Sequence, residues 1–269
     1  SDLAGPTETE LAKAGVAVFT NAGSHRMDPH VPIIIPEVNP GQFDAVKDQP
    51  TYGESGGYIV TNANCSSTGI AAPLHAINQA FGLKQVFVST YQALSGAGYP
   101  GVPSLDAVGN VVPFISHEEE KMETELAKML GTYSEGEFRY APFKVMANCA
   151  RVPVIDGHLE SLVLDTEAQP SLDELEACLA GFRGEPQTLG LPSAPDQPII
   201  VRHEENRPQP VFDAMAGKPE RARGMAVTIG RLRQSNGYYK AFAMSHNTLR
   251  GGAGGSVLNA ELAKAKGIL

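Results

Sequence analysis

The chain predicts an α/β start followed by an α+β body, and three observations carry that prediction. A helical stretch over 5–15 runs directly into an apolar strand pattern, Val16-Ala17-Val18-Phe19-Thr20. The middle of the chain then holds more strand-like runs per helix than a doubly wound unit needs. The 269 residues, 42% hydrophobic and 19% charged, suffice for one or two domains with a core of their own.

The first helix has acids near its start and Gly15 at its end. Residues 31–35 form a second apolar run between prolines. A polar loop with Gly53, Gly56 and Gly57 leads to a short strand at 58–61. A helical pattern follows Cys65, and Pro73 inside it predicts a kink or a late start. Residues 83–93 alternate as a strand, and a glycine turn at 95–101 follows. Residues 117–130 predict a charged helix. Further strands are expected at 144–149, 161–164, 198–201 and 225–233. Residues 172–181 read as a helix with Ser171 as its N-cap. The proline-rich stretch 184–197 reads as a mobile loop. A glycine-rich turn at 251–255 opens a last helix that runs through Lys266. No internal repeat or low-complexity tract interrupts this order.

A net charge of −9 argues against a general nucleic-acid binder, because phosphate affinity needs a basic face. A small anionic substrate remains compatible, since a few placed Arg and Lys can hold one. The three cysteines, Cys65, Cys149 and Cys178, are odd in number and widely spaced, which indicates no disulfide framework or zinc ribbon. A reduced, cytoplasmic setting is the natural expectation. No apolar run approaches the ~20 residues that span a bilayer, and no signal-peptide pattern opens the chain. The chain also starts without an initiator Met, which reads as a piece of a longer protein.

Cys65 is the leading candidate for chemistry. In Asn62-Ala63-Asn64-Cys65-Ser66-Ser67-Thr68-Gly69 it stands between a strand and a helix. A thiol at a helix N-terminus feels the positive end of the dipole, which favours thiolate. An arbitrary cysteine is more often buried and inert, but this context weighs against that reading. Such a nucleophile needs a base, and sequence alone does not choose among seven histidines. Arg151 and His158 share one turn, Arg151-Val152-Pro153-Val154-Ile155-Asp156-Gly157-His158, which brings together an anion-binding guanidinium and a titratable imidazole. The alternative is a surface loop.

Other motifs are weaker. His117-Glu118-Glu119-Glu120-Lys121 lacks the second His of a zinc helix and reads as a solvated face, with Glu118 and Lys121 on one side. Gly96-Ala97-Gly98-Tyr99-Pro100-Gly101 matches G-x-G-x-x-G but cannot open a helix through its prolines, so it is a tight turn rather than a dinucleotide fingerprint. Arg250-Gly251-Gly252-Ala253-Gly254-Gly255 precedes a helix, and its N–H groups could receive an anion or a carboxamide. Arg221, Arg223, Arg231 and Arg233 read as charged strand ends. His25, Arg26 and His30 lack metal-site spacing.

Taken in order, these segments resemble aspartate-semialdehyde dehydrogenase in its archaeal and fungal branch. The match is collinear from Asp2 to Lys266. It rests on Thr20-Asn21-Ala22-Gly23-Ser24-His25-Arg26, Ile35-Pro36-Glu37-Val38-Asn39, Asn64-Cys65-Ser66, Gln92 with Ser95-Gly96-Ala97-Gly98, the run from Glu118 to Lys121, the Arg151–His158 turn and the Arg250–Gly255 turn. The resemblance implies an α+β catalytic domain with a mixed, largely antiparallel sheet, plus the remnant of an α/β Rossmann-type coenzyme domain. The boundaries it implies are 1–64 for that remnant, 65–246 for the catalytic and dimerisation domain, and 247–269 for a closing helix.

The resemblance also implies roles. Cys65 is the nucleophile, His158 the general base and acid, and Gln92 orients the acyl intermediate. Arg151 holds the substrate carboxylate and Glu118 its ammonium. Arg26 and Lys121 bind inorganic phosphate. Asn64 touches the substrate and, with Ser95, Gly96, Ala97 and Gly98 and with Gly252, Ala253 and Gly254, lines the nicotinamide end of NADP. No metal is implied. The reaction is the reversible conversion of L-4-aspartyl phosphate to L-aspartate 4-semialdehyde and phosphate, in the biosynthesis of threonine, methionine and isoleucine, by a cytoplasmic homodimer or homotetramer.

Members of this family open with a strand, a G-x-G-x-x-G turn and a helix, and this chain shows none of these. It therefore reads as starting partway through the coenzyme domain. Doubtful NADP binding, little or no turnover, and an exposed, disordered sheet edge near Ser1 are expected. Three rivals remain: a malonyl-CoA reductase of the same superfamily, which has no use for Glu118; a Cys-His hydrolase or acyltransferase; and a non-catalytic dimeric core.

Overall fold

A computed structural model describes residues 3–269; the sheet edge and disorder expected near Ser1 lie outside the described residues. Helix α1 (Ala4–Lys13) leads into strand β1 (Ala17–Thr20). The apolar run 31–35 forms no strand. Proline on both sides removes ladder donors, and only Ile33 bridges to Thr61. The polar loop expected before residue 58 is instead folded: a 3₁₀ turn, Pro40–Asp48, and a short helix α2 (Pro50–Ser55) that ends on Gly56 at φ +81°. Strand β2 (Tyr58–Thr61) pairs in parallel with β1.

Helix α3 (Cys65–Phe81) begins at the cysteine, not late at Pro73. Its cap explains the start. Asn64 Oδ1 accepts from the N–H groups of Ser66 and Ser67, two donors a helix start would otherwise leave orphaned. From Ser66 to Leu74 every residue is buried, so α3 is a central helix rather than an amphipathic one.

Strand β3 (Leu83–Gln92) follows, then a 3₁₀ turn (Leu94–Ala97) and a short helix α4 (Ser104–Ala107). Helix α5 (Glu118–Met129) is only half the solvated face expected. Glu120 and Glu123 are exposed, whereas Glu118, Glu125 and Lys128 are buried where α5 packs against α3 and the sheet. A small hairpin, β4 (Thr132–Ser134) with β5 (Glu137–Arg139), leads to β6 (Lys144–Arg151) and β7 (His158–Thr166).

Helix α6 (Leu172–Gly181) carries a full capping box between Ser171 and Glu174. The stretch expected to be a mobile loop is tied down. It holds a short helix α7 (Glu185–Thr188), Gln187 donates to the Pro195 carbonyl, and Ser193 donates to Glu261. Strand β8 (Ile199–Arg202), a one-turn helix α8 (Pro210–Asp213) and the hairpin β9 (Val227–Ser235) with β10 (Tyr238–Ser245) complete the sheet. Strand β10 adds to those the hydrophobic pattern predicts. The last helix is α9 (Gly254–Ala265).

The main sheet runs β6-β3-β7-β10-β9-β8. The β3–β6 and β8–β9 pairs are parallel and the three between them antiparallel, so the sheet is mixed and largely antiparallel. Helices α3, α5 and α6 cover one face. On the opposite face Phe87 and Tyr91 remain 40% and 39% exposed. Leu258, Leu262 and Ala263 of α9 return to pack with Tyr58 and Val60 of β2. The nucleophile loop between β2 and α3 thus lies where the small parallel pair meets the large sheet.

Candidate active site

Cys65 opens α3 at the base of a cavity of about 650 Å³, which Arg26, Gln92, Glu118, Lys121 and Arg151 also line. This is the size of a small-molecule site. Five segments far apart in sequence therefore converge on one space.

His158, the first residue of β7, is fully buried, and its Nε2 lies 3.3 Å from Cys65 Sγ. The Ala93 N–H donates to Nδ1 at 3.1 Å. A neutral ring so held carries its proton on Nε2, facing the sulfur. Burial, with Arg151 nearby, pushes the imidazole down to about 3. Cys65 departs from the helix-dipole expectation. Loss of water first, then the Glu118 charge, push its thiol up to about 12, against the opposing pull of Arg26 and the Ser66 N–H. The resting pair is a thiol beside a neutral imidazole.

Arg151 ends β6 and is 7% exposed; its guanidinium donates to the Ala93 carbonyl at 2.7 Å. The Ser95–Gly98 turn presses on both groups. A Cβ on Gly96 would lie 2.8 Å from an Arg151 terminal nitrogen and 2.9 Å from His158 Cε1. Gly98, at φ +67°, opens onto empty space. Asn247 ties this wall together: its amide donates to Ser95 Oγ at 2.8 Å and its carbonyl oxygen accepts the Gly157 N–H at 2.9 Å.

Glu118 Oε1 accepts from both Asn64 Nδ2 and Gln92 Nε2, each at 2.9 Å. Its Oε2 has no protein partner in these hydrogen bonds. Gln92, 1% exposed, is thereby oriented across the cavity wall. Asn64 also lines the cavity; its amide oxygen caps α3 and one of its N–H groups is held by Glu118. Arg26 is 8% exposed and heavily engaged: it donates to the Asn62 and Asn21 carbonyls at 2.8 and 2.9 Å and to Glu125 at 2.9 Å. Lys121 lines the cavity and forms no ion pair among the described residues.

Of the closing glycine turn, Gly251 and Gly252 reach the cavity, whereas Ala253 and Gly254 do not line it. Gly254 is turned inward, where a Cβ would meet the Met225 sulfur at 2.5 Å. A Cβ on Gly251 would meet the Cys65 Cβ at 2.7 Å, so only glycine lets this turn lie against the nucleophile. Glu125 and Asn247 carry no motif in the sequence. Glu125 sits in a run of acids that reads as solvated, and Asn247 lies between a strand and a turn without periodic signal. Among the described residues no cluster of His, Cys, Asp and Glu could hold a metal, and His25 and His30 are spent on Asp28 and Tyr133.

Known proteins match along nearly the whole chain. A family described as "Semialdehyde dehydrogenase, dimerisation domain" matches residues 74–250, and one described as "Semialdehyde dehydrogenase, NAD binding domain" matches residues 1–46. The aspartate-semialdehyde dehydrogenase of Methanothermobacter thermautotrophicus is 46% identical over 266 residues, covering 97% of this chain and 75% of that protein. The crystal structure of aspartate-semialdehyde dehydrogenase with NADP from Candida albicans superposes with a TM-score of 0.87 at 38% identity, over 100% of this chain and 76% of that one. A malonyl CoA reductase (NADP) of Metallosphaera sedula is 40% identical, over 99% of this chain and 74% of that protein. With the Cys65–His158 pair and its ring of cations in one cavity, the chain belongs to the aspartate-semialdehyde dehydrogenase family of oxidoreductases.

Proposed function

We propose that Cys65 is acylated in the NADP-dependent, reversible conversion of L-4-aspartyl phosphate to L-aspartate 4-semialdehyde and phosphate. The single observation that carries this is the Cys65 Sγ–His158 Nε2 contact of 3.3 Å in a cavity walled by Arg151, Glu118, Lys121 and Arg26.

In the oxidative direction the Cys65 thiol loses its proton to water and the sulfur attacks the aldehyde carbon. The oxygen becomes an alkoxide next to the Nε2–H of His158, a donor aimed where charge develops. Arg151 takes the substrate carboxylate as a bidentate partner, and Glu118 takes its ammonium. That ion pair removes the charge that most disfavours thiolate after burial itself. NADP, when bound, supplies the acceptor for the departing hydride. Gln92, steered by Glu118, faces the resulting Cys65 thioester. Phosphate held by Arg26 and Lys121 attacks the acyl carbon, and the thiolate leaves and is reprotonated. Use of His158 as a base requires exchange of its Ala93 bond, which fits a ring that first donates.

The residues present suit the nicotinamide end of the cofactor. Gly98 and Gly252 present bare backbone to the cavity, and a Cβ on Gly98 would meet nothing within 4 Å. Ser95, Gly96 and Ala97 form the adjoining wall. The domain division that fits this reading is 1–64 with 247–269 around the coenzyme, and 65–246 for catalysis and dimerisation. The half-exposed Phe87 and Tyr91 support a dimer formed across the open sheet face. Among the described residues no helix is long and apolar enough to cross a membrane, and Cys65, Cys149 and Cys178 are free thiols, which suits a reducing cytoplasm. Threonine, methionine and isoleucine biosynthesis is the matching role.

Acylation from the acyl-phosphate side needs no nicotinamide and gives a direct test. Incubation with 4-aspartyl phosphate, acid quenching and peptide mass mapping should place an aspartyl thioester on Cys65, and Cys65→Ser should abolish it. An unmodified Cys65 would overturn the proposal. A second reading, malonyl-CoA reductase, is favoured by the Metallosphaera relative. Glu118 opposes it, since a malonyl group offers no ammonium. A malonyl adduct forming faster than an aspartyl one would reverse the order.

A further inference from the structure

Two carboxylates on one face of α5 grip the same asparagine. Glu118 Oε1 holds the side-chain amide of Asn64 at 2.9 Å, and Glu125 Oε2 accepts its backbone N–H at 2.6 Å. The other oxygen of Glu125 accepts from Arg26 at 2.9 Å. Glu125 is 2% exposed, so both bonds are shielded from water; burial pushes its carboxyl above the usual range, against the opposing pull of Arg26 and the Asn64 N–H. Arg26 is further fixed by the Asn62 and Asn21 carbonyls, which set the plane of its guanidinium and leave its remaining donors to the cavity. One carboxylate therefore joins the cavity cation to the Ala63–Asn64 peptide bond, one residue before the nucleophile.

We propose that Glu125 is a positioning residue for the phosphate step: it locks the Arg26 guanidinium and the Asn64–Cys65 backbone into one register, so that the bound anion faces the acylated sulfur at attacking distance. This rests on the reading of Arg26 as a phosphate cation and Cys65 as the acylated group. The geometry demands a carboxylate. Both partners are donors, and a primary amide offers one acceptor and an NH₂ that would oppose the other donor. Loss of register between nucleophile and electrophile is costly out of proportion to the displacement.

The test is kinetic, with a binding readout beside it. In the full chain, exchange of labelled phosphate into 4-aspartyl phosphate, which needs no nicotinamide, reads the step: Glu125→Gln should raise the KM for phosphate about tenfold and lower the exchange rate, with the phosphate-free rate of Cys65 alkylation changed less than about twofold. The phosphate concentration that half-protects Cys65 from iodoacetamide should rise in parallel. Glu125→Asp keeps the charge but cannot reach both donors, so it should shift phosphate in the same direction by less; it carries the test if the Gln variant does not fold. In an Arg26→Ala background, Glu125→Gln should have no further effect on phosphate. A phosphate-free alkylation rate shifted as much as the phosphate KM, additivity with Arg26→Ala, or a lowered melting temperature with unchanged phosphate dependence would overturn the inference. Wild-type protein that shows neither phosphate protection nor Cys65 acylation would instead sink the functional reading beneath it.

Discussion

Cys65 begins α3, where a helix dipole favours thiolate, yet burial and Glu118 push its thiol up to about 12. His158 beside it is pushed down to about 3, so no imidazolium is present to pair with a thiolate at neutral pH. The signs together fix a pH profile. Below the thiol pKa the thiolate fraction rises about tenfold per pH unit. Alkylation of Cys65 by iodoacetamide in the ligand-free protein should therefore climb at that slope from pH 7 to pH 10, with no shoulder near 6 or 7. Mass spectrometry of the Cys65 peptide reads it, and a plateau in the neutral range would point to a preformed ion pair. An amino-acid ligand whose ammonium neutralises Glu118 should speed the alkylation. Gly96 supplies a steric test at the same scale. A Cβ there would lie 2.8 Å from Arg151 and 2.9 Å from the His158 ring. Gly96→Ala must displace one of them, and a loss of about a hundredfold in the rate of Cys65 acylation by 4-aspartyl phosphate is expected with little change in melting temperature.

Strand β7 places Glu160 two residues after His158 on the same buried face. Glu160 is fully buried, neither oxygen has a hydrogen-bond partner, and burial raises its pKa well above 4.5. The folded protein holds this proton where the unfolded chain releases it. Stability from Glu160 is thus present below pH 4.5 and is lost as pH rises toward the folded pKa, at up to about 1.4 kcal/mol per pH unit. Glu160→Gln should raise the melting temperature at pH 7 to 8 and leave it unchanged at pH 4. Equal shifts at both pH values would mean that packing, not protonation, sets the effect. Elements differed in how far they could be read beforehand. The Ser171 N-cap and the Arg151–His158 turn follow from local chemistry and were legible, whereas the Asn64 cap of α3 and the Glu174 half of the capping box emerge only in the structure. Asn236-Gly237 also carried the signal for the β9–β10 hairpin, with both residues at positive φ as such a turn requires. The apolar run 31–35 serves the core with a single bridge to β2, at Ile33 and Thr61, because the prolines stop a longer ladder. Arg26 and Lys121 could be placed only through resemblance, since a lone cation has no local pattern. The inward acids of α5 were hidden because periodicity alone does not tell a buried carboxylate from a solvated one.

At the level of the molecule, a buried ion pair holds the chain's last segment to its first. Arg250 donates to both oxygens of Glu37 at 2.9 and 2.7 Å, with side-chain exposures of 2% and 0%. Arg250 immediately precedes Gly251, whose backbone lies against Cys65, and α9 packs onto β2 just beyond. A pair this deep need not stabilise the fold relative to apolar residues, but removal of one member leaves a charge without water or partner. Arg250→Met should therefore cost about 3 to 5 kcal/mol in denaturant unfolding, and the double variant Arg250→Met/Glu37→Met should recover most of it. Activity should behave differently. The turn at Gly251 is set by the anchor on either side, so the double variant should regain stability without regaining the full rate of Cys65 acylation by 4-aspartyl phosphate. The closing segment would then act as the clasp that fixes one wall of the nucleophile's cavity. If stability and the acylation rate recover together, the pair serves folding alone and the wall is held by the glycine turn itself.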